Sequence, residues 1–171
     1  MKKIIVIGCP GSGKSTLARE LHRILRLPLF YLDTMFWNAD KTTVDRSVLI
    51  KRELAAMRGH EWIIDGNYIS TMDIRLAECD TVIFLDFPAE VCIGGVLSRM
   101  GKPRPDMPWV ETEPDGDFLE YVRGFSESVR PAILTYLSEY PEKNLITLRS
   151  RNEVSAFISE LEKEINKSNC K

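Results

Sequence analysis

Along this chain, short unbroken hydrophobic blocks alternate with stripes of helical period. Ile4 to Ile7 is a run of four β-branched residues, which predicts a strand buried on both faces. Four further blocks follow: Leu29 to Leu32 ending at Asp33, Trp62 to Ile64 ending at Asp65, Thr81 to Leu85 ending at Asp86, and Asn144 to Leu148. Between them lie the stripes. Leu17, Leu21, Ile24 and Leu25 recur at i, i+4, i+7 and i+8, which predicts a helix over 16–26 that Leu27-Pro28 breaks. Residues 44–58 read as a mostly polar helix stopped by Gly59. Phe36 and Trp37 fall in a loop or a first helical turn, and Met72, Ile74 and Leu76 mark a short segment before the fourth strand. Phe87-Pro88-Ala89-Glu90 opens a helix to about Met100, and 117–139 reads as one long helix. Ser150 and Glu153 form a capping box ahead of a closing helix carrying Val154, Phe157, Ile158, Leu161 and Ile165. Strands alternating with helices predict an α/β fold, a parallel sheet covered on both faces.

The first strand runs into Gly8-Cys9-Pro10-Gly11-Ser12-Gly13-Lys14-Ser15, which fits G-x-x-x-x-G-K-[ST], the phosphate-binding loop. Gly8, Gly11 and Gly13 allow positive φ and let backbone N–H groups converge on an anion. Lys14 supplies a point charge for β- and γ-phosphates, and Ser15 a hydroxyl for Mg²⁺. A helix from Thr16 onward turns its N-terminus toward the phosphates. Gly8, Pro10, Gly11, Ser12, Gly13, Lys14, Ser15 and Thr16 are therefore the candidate nucleotide-binding set, with ATP and Mg²⁺ as the expected cofactors. Three blocks end in aspartate, and ligands of parallel sheets collect at the carboxyl ends of strands. Beside a phosphate loop that placement suggests a Mg²⁺-phosphate site, for which Asp65 and Asp86 compete.

Composition narrows the class. The 171 residues suffice for one substantial core, and we expect one domain over 1–171. With 44% hydrophobic and 28% charged residues the chain is globular. A net charge of −2 argues against attachment to nucleic acid by bulk charge. Cys9, Cys79, Cys92 and Cys170 are scattered, which fits a reducing cytoplasm and neither a zinc site nor a disulfide framework. The apolar run after Met-Lys-Lys is too short for an export signal, and no stretch is long enough to span a membrane.

Residues 101–116 break the pattern with four prolines (Pro103, Pro105, Pro108, Pro114) and two glycines. A long irregular segment in a compact domain is often a functional flap. Its neighbourhood is basic first (Arg99, Lys102, Arg104) and acidic afterwards (Glu111, Glu113, Asp115, Asp117). The cations suit a lid that neutralises phosphate charge, or a solvated turn pairing with nearby acids. Gly94-Gly95 weakens the preceding helix by about 2 kcal/mol relative to two alanines, which predicts a pliable hinge. Arg123 and Arg130, seven apart on one helix, either return to the phosphates or stay wet. His22 and His60 read as surface residues.

On these motifs the chain resembles the nucleoside-monophosphate-kinase branch of the P-loop kinases, which includes adenylate, shikimate and gluconate kinases. Leu32-Asp33-Thr34-Met35-Phe36-Trp37, Trp62 to Tyr68, Arg104 to Met107 and Leu148 to Arg151 carry a narrower resemblance to FlaR-like DNA topology modulation proteins. The resemblance implies a three-layer P-loop fold with a five-stranded sheet in order 2-3-1-4-5, an acceptor region near 33–60 and a lid near 100–116. It favours Asp65 as the Mg²⁺ acid with Ser15, and it places Asp33 at an acceptor hydroxyl or else as a structural cap. Phe36 and Trp37 wall the acceptor pocket or belong to the core. Adenylate kinases follow the third-strand Asp-Gly with Phe-Pro-Arg, whereas here Asp65-Gly66 leads to Asn67-Tyr68-Ile69. Of the two arginines four apart that follow Pro88 in adenylate kinases, Arg99 is kept and Gly95 replaces the other. The implied activity is transfer of the γ-phosphate of ATP to a small molecule or nucleotide, with Lys14, Asp33 and Arg99 as catalytic residues. The alternative is a nucleotide-binding regulator of DNA topology, which no helix-turn-helix or basic face supports. The expected state is a monomer or homodimer.

Overall fold

The structure is a computed structural model that describes residues 1–169, with side chains through Lys167. Cys170 lies outside the described residues; Cys9, Cys79 and Cys92 are free and buried. Five parallel strands form one sheet in the order β2-β3-β1-β4-β5: β1 (Lys3–Gly8), β2 (Leu29–Tyr31), β3 (Trp62–Asp65), β4 (Thr81–Leu85) and β5 (Asn144–Leu148). This is the order that the P-loop resemblance implies. The three central strands are apolar through their middles because helices cover both sides of the sheet, and Ile4 to Ile7 are fully buried. The edge strands β2 and β5 are only partly buried.

Helices connect the strands. They are α1 (Lys14–Leu25), α2 (Leu32–Phe36), α3 (Arg46–Ala56), α4 (Met72–Glu78), α5 (Ala89–Ser98), α6 (Gly116–Arg123), α7 (Phe125–Ser128), α8 (Arg130–Ser138) and α9 (Arg151–Asn169). A single 3-10 turn, Ile69–Thr71, precedes α4. The stripe on α1 buries Leu17 and Leu21, and the helix packs on β3 and α9. At α9 the Ser150 hydroxyl accepts from the Glu153 N–H at 3.2 Å, and the Glu153 carboxylate accepts from the Arg149 N–H at 2.8 Å.

Among the boundaries that differ from the sequence expectations, three bear on the site or on the helical layer. The first helix begins at Lys14, two residues before Thr16, so the loop lysine belongs to the helical N-terminus. The second strand stops at Tyr31, and Asp33 sits in the first turn of α2 rather than at a strand end. The long helix over 117–139 is three helices. Its apolar period is continuous, but Pro131 has no N–H to donate to residue 127 and Gly124 is a weak helix former, so the axis breaks near both.

Candidate active site

The backbone of the phosphate loop takes its shape from three glycines. Gly8, Gly11 and Gly13 have φ of 143°, 84° and 101°, a region that side-chain-bearing residues avoid. Contact with the sheet and with α5 makes two of them irreplaceable. A Cβ on Gly8 would lie 2.4 Å from the Leu85 carbonyl oxygen, and one on Gly11 would lie 2.0 Å from that of Cys92. Helix α5 answers with Gly95, where a Cβ would lie 2.0 Å from the Gly11 carbonyl oxygen. Gly94, by contrast, faces open space. At Gly95 the glycine pair thus seats the phosphate loop, a packing role beyond the expected hinge.

A second clamp comes from the β3 end. The Asn67 amide donates to the Gly8 carbonyl at 2.7 Å and accepts from the Gly8 N–H at 2.8 Å. Asn67, which stands where adenylate kinases begin Phe-Pro-Arg, therefore fixes the start of the phosphate loop. The strand-to-helix connection carrying it is held by Arg75. That buried guanidinium donates to the carbonyls of Gly66 at 2.9 Å, Tyr68 at 2.9 Å, and Asn67. Glu53 of α3 lies 3.7 Å from Arg75 and accepts from the Thr71 hydroxyl at 2.7 Å. Both ions are fully buried; burial pushes the Glu53 carboxyl up and the Arg75 guanidinium down to about 10.

One cleft of about 1240 Å³ collects the candidate residues: Lys14, Ser15, Asp33, Asp65 and Arg99 all line it. The Lys14 ammonium bends back to the Cys9 carbonyl at 3.2 Å. Asp65 is 5% exposed, and burial raises its carboxyl from the ordinary 3.8 to about 6 against the pull of Lys14 and a hydrogen bond from Ser15. Its Oδ1 is buried without a hydrogen-bond partner. An orphaned carboxylate oxygen beside a hydroxyl is a hard donor set that suits Mg²⁺, which keeps several waters and takes few protein ligands. No group of three or more His, Cys, Asp or Glu side chains suited to a metal occurs among the described residues. Asp86 is committed elsewhere: Arg130 donates to both its oxygens at 2.7 and 2.9 Å, and the pair lines a separate hollow. Arg123 pairs with Glu120 on the surface, and neither helix arginine lines the cleft.

Asp33 accepts from the Tyr68 hydroxyl at 2.8 Å and caps no helix N–H. Burial raises its pKa, opposed by the Tyr68 bond and by Lys14. Phe36 and Trp37 also line the cleft and are half-buried.

The irregular segment folds its basic and acidic halves together. Glu111 takes Arg99 at 3.1 Å and Arg104 at 3.0 Å, and the Gly101 N–H donates to the Glu111 carbonyl at 2.7 Å. Asp106, 2% exposed, takes Arg104 at 2.7 Å and Arg19 of α1 at 3.5 Å. Arg99, Lys102 and Arg104 all line the cleft, the two arginines held in ion pairs and Lys102 donating to the Ser98 carbonyl at 2.7 Å. His22 and His60 are exposed.

Several lining residues escape sequence reasoning. Arg151 reaches the phosphate loop from the start of α9, with Nη1 3.6 Å from where a Gly13 Cβ would sit. Nothing in spacing links it to a loop so far away in sequence. Arg19, Tyr68 and Trp109 join the cleft likewise. Tyr68 falls in a stretch that carries the narrower resemblance, but its left-handed φ of 38°, unusual for a bulky residue, emerges only in the fold.

No protein-family model matches the chain. It is 30% identical over 113 residues to a shikimate kinase of Rhodococcus jostii, covering 58% of this chain and 65% of that one. It is 37% identical over 71 residues to a cytidylate kinase of Pyrobaculum neutrophilum, covering 42% of this chain and 30% of that one. The chain thus spans less than two thirds of the length of either relative. A shikimate kinase of Acinetobacter baumannii, solved in complex with shikimate, superposes with a TM-score of 0.63 at 14% identity, over 100% of this chain and 96% of that chain. At that identity the likeness is one of fold.

Proposed function

We propose that the chain is a phosphotransferase that moves the γ-phosphoryl group of Mg-ATP to a hydroxyl of a small acceptor. One observation carries the reading: a phosphate-binding loop and a separately held carboxylate, Asp33, open into the same cleft. Resemblance to shikimate and cytidylate kinases supports it. Residues 8–16 hold the donor, with the loop N–H groups and the N-terminus of α1 facing its phosphates. Lys14 exchanges its carbonyl contact for the β- and γ-oxygens. Ser15 and Asp65 hold Mg²⁺, which neutralises phosphate charge when bound. The acceptor hydroxyl lies against Asp33, which orients it in line and takes its proton as the new oxygen–phosphorus bond forms and the bond to the β,γ-bridging oxygen breaks. Burial makes Asp33 a better base than an exposed aspartate. Tyr68 fixes the carboxylate, and Arg99 with the segment 100–116 closes the cleft against water. Residues 33–60 form the acceptor side of one domain. The buried free cysteines suit a reducing cytoplasm, and no described helix is long and apolar enough to cross a membrane.

The test is calorimetry with Mg-ATP on the wild type and on Lys14→Ala, followed by ADP release against an acceptor panel. Binding lost in the variant, and ADP release that depends on one acceptor, are the expected results. Tight binding of duplex DNA with no acceptor-dependent ADP release would favour a regulator of DNA topology and end the enzymatic reading.

A further inference from the structure

The acceptor side of the cleft is walled by aromatic rings. Tyr68 and Phe36 lie with centroids 5.0 Å apart, Phe36 and Trp37 5.3 Å, and Trp37 and Trp109 5.4 Å, each pair edge to face. All four line the cleft and none is sealed in the core, so the array offers ring surface to a ligand. Trp109 belongs to the irregular segment, which therefore docks on the acceptor side through this contact. Stacking on such surface favours planar rings.

The three guanidiniums around the array are already ion-paired: Asp106 takes Arg19 and Arg104, and Glu111 takes Arg99 and Arg104. Lys102 donates to the Ser98 carbonyl at 2.7 Å. Lys41 lies 5.9 Å from the centroid of Trp109 and is exposed, so it makes a weak charge partner. To engage a guanidinium here, an acceptor phosphate or carboxylate would have to pull it off a carboxylate that is itself largely buried, close to Asp33. A neutral acceptor leaves every pair intact.

We propose that the acceptor is an uncharged nucleoside, its base held in the aromatic array and a sugar hydroxyl presented to Asp33. The proposal rests on the phosphotransferase reading and narrows it. The hydroxyl oxygen bonds to the γ-phosphorus, its proton passes to Asp33, and ADP leaves with the bridging oxygen.

Tryptophan fluorescence titrations test it, using adenosine, cytidine, guanosine and thymidine, their 5′-monophosphates, and shikimate. Mass spectrometry of the products with Mg-ATP accompanies them. At least one nucleoside should bind about tenfold or more tightly than its own monophosphate and should be phosphorylated. Trp37→Ala should weaken that nucleoside by on the order of tenfold or more, with Mg-ATP affinity unchanged and with recovery in Trp37→Phe. Trp109→Ala, in the irregular segment, gives the same readout should Trp37→Ala fail to fold. Tighter binding of a monophosphate or of shikimate overturns the proposal and leaves the phosphotransferase reading standing. So does a failure of every nucleoside to bind at millimolar concentration while Mg-ATP still binds. A chain that binds no Mg-ATP overturns both.

Discussion

Replacing Gly95 by alanine drives a methyl group into the phosphate loop. The new Cβ would lie 2.0 Å from the Gly11 carbonyl oxygen and 2.9 Å from its carbon, where ordinary contact begins near 3.4 Å. Both partners are backbone, so no rotamer relieves the overlap, and the loop and α5 must separate by more than an ångström. Overpacking of this kind costs about 1–3 kcal/mol, set against a helix-propensity gain of about 1 kcal/mol. Gly94→Ala is the matched control, since a Cβ there meets nothing within 4 Å and only the propensity gain remains. A change of 1 kcal/mol moves the melting temperature of a chain this size by about 2–4 °C. Gly94→Ala should therefore melt a few degrees above the wild type, and Gly95→Ala should melt below Gly94→Ala by several degrees. Because the separation displaces loop N–H groups, Gly95→Ala should also weaken Mg-ATP about tenfold or more, a misplacement of an ångström being worth up to about 10² in a positioned reaction. Differential scanning fluorimetry and calorimetry on the pair read both effects. Equal melting and equal ATP affinity in the two variants would refute the seat and leave only the hinge.

Asp33→Asn keeps its size and its partner Tyr68 but loses the base, so phosphoryl transfer should fall about 10²-fold or more while Mg-ATP affinity stays put; loss of nucleotide binding in that variant would assign Asp33 to the donor. Asp65, raised from 3.8 to about 6 by burial, adds stability to the ligand-free chain that is complete below pH 3.8 and is lost as pH rises through 6. Asp65→Asn should erase that slope in denaturant titrations and stabilise the ligand-free chain at pH 7 by up to about 3 kcal/mol, while impairing every Mg²⁺-dependent step; an unchanged slope would contradict the assignment. Arg75→Met strands Glu53 and frees the carbonyls of Gly66, Asn67 and Tyr68, so unfolding should become easier by about 3–5 kcal/mol, and wild-type denaturant midpoints would refute the clamp. Amide exchange over about 100–116 should slow with an ATP analogue and Mg²⁺, and Arg99→Ala should lower turnover more than ATP affinity; exchange indifferent to saturating ligand would make the segment a static loop.

How far the sequence reveals this architecture depends on the range of each interaction. The strands announce themselves because each is an apolar block, and the phosphate loop does because its glycines, lysine and serine act within eight residues. The sheet order came through resemblance, and the structure has it. What stays hidden is long-range. Gly95 looks like a helix defect until Gly11 is seen against it. Asp86 looks equivalent to Asp65 until Arg130 occupies it. The lid cations look free until the chain reverses and brings Glu111 back to Arg99 and Arg104. The break between α6 and α8 hides because the apolar period runs on through it, and only Gly124 and Pro131 hint at the interruption.

On the proposed phosphotransferase reading, the γ-phosphoryl group leaves ATP for an organic hydroxyl in this cleft. The direct measurement supplies ATP labelled in its γ-phosphoryl group together with an acceptor panel and follows the label by chromatography and mass spectrometry. Label should appear in one phosphate ester, formed in step with ADP, and Lys14→Ala should abolish it. Label that stays in ATP, or that appears only as inorganic phosphate whichever acceptor is present, would contradict it.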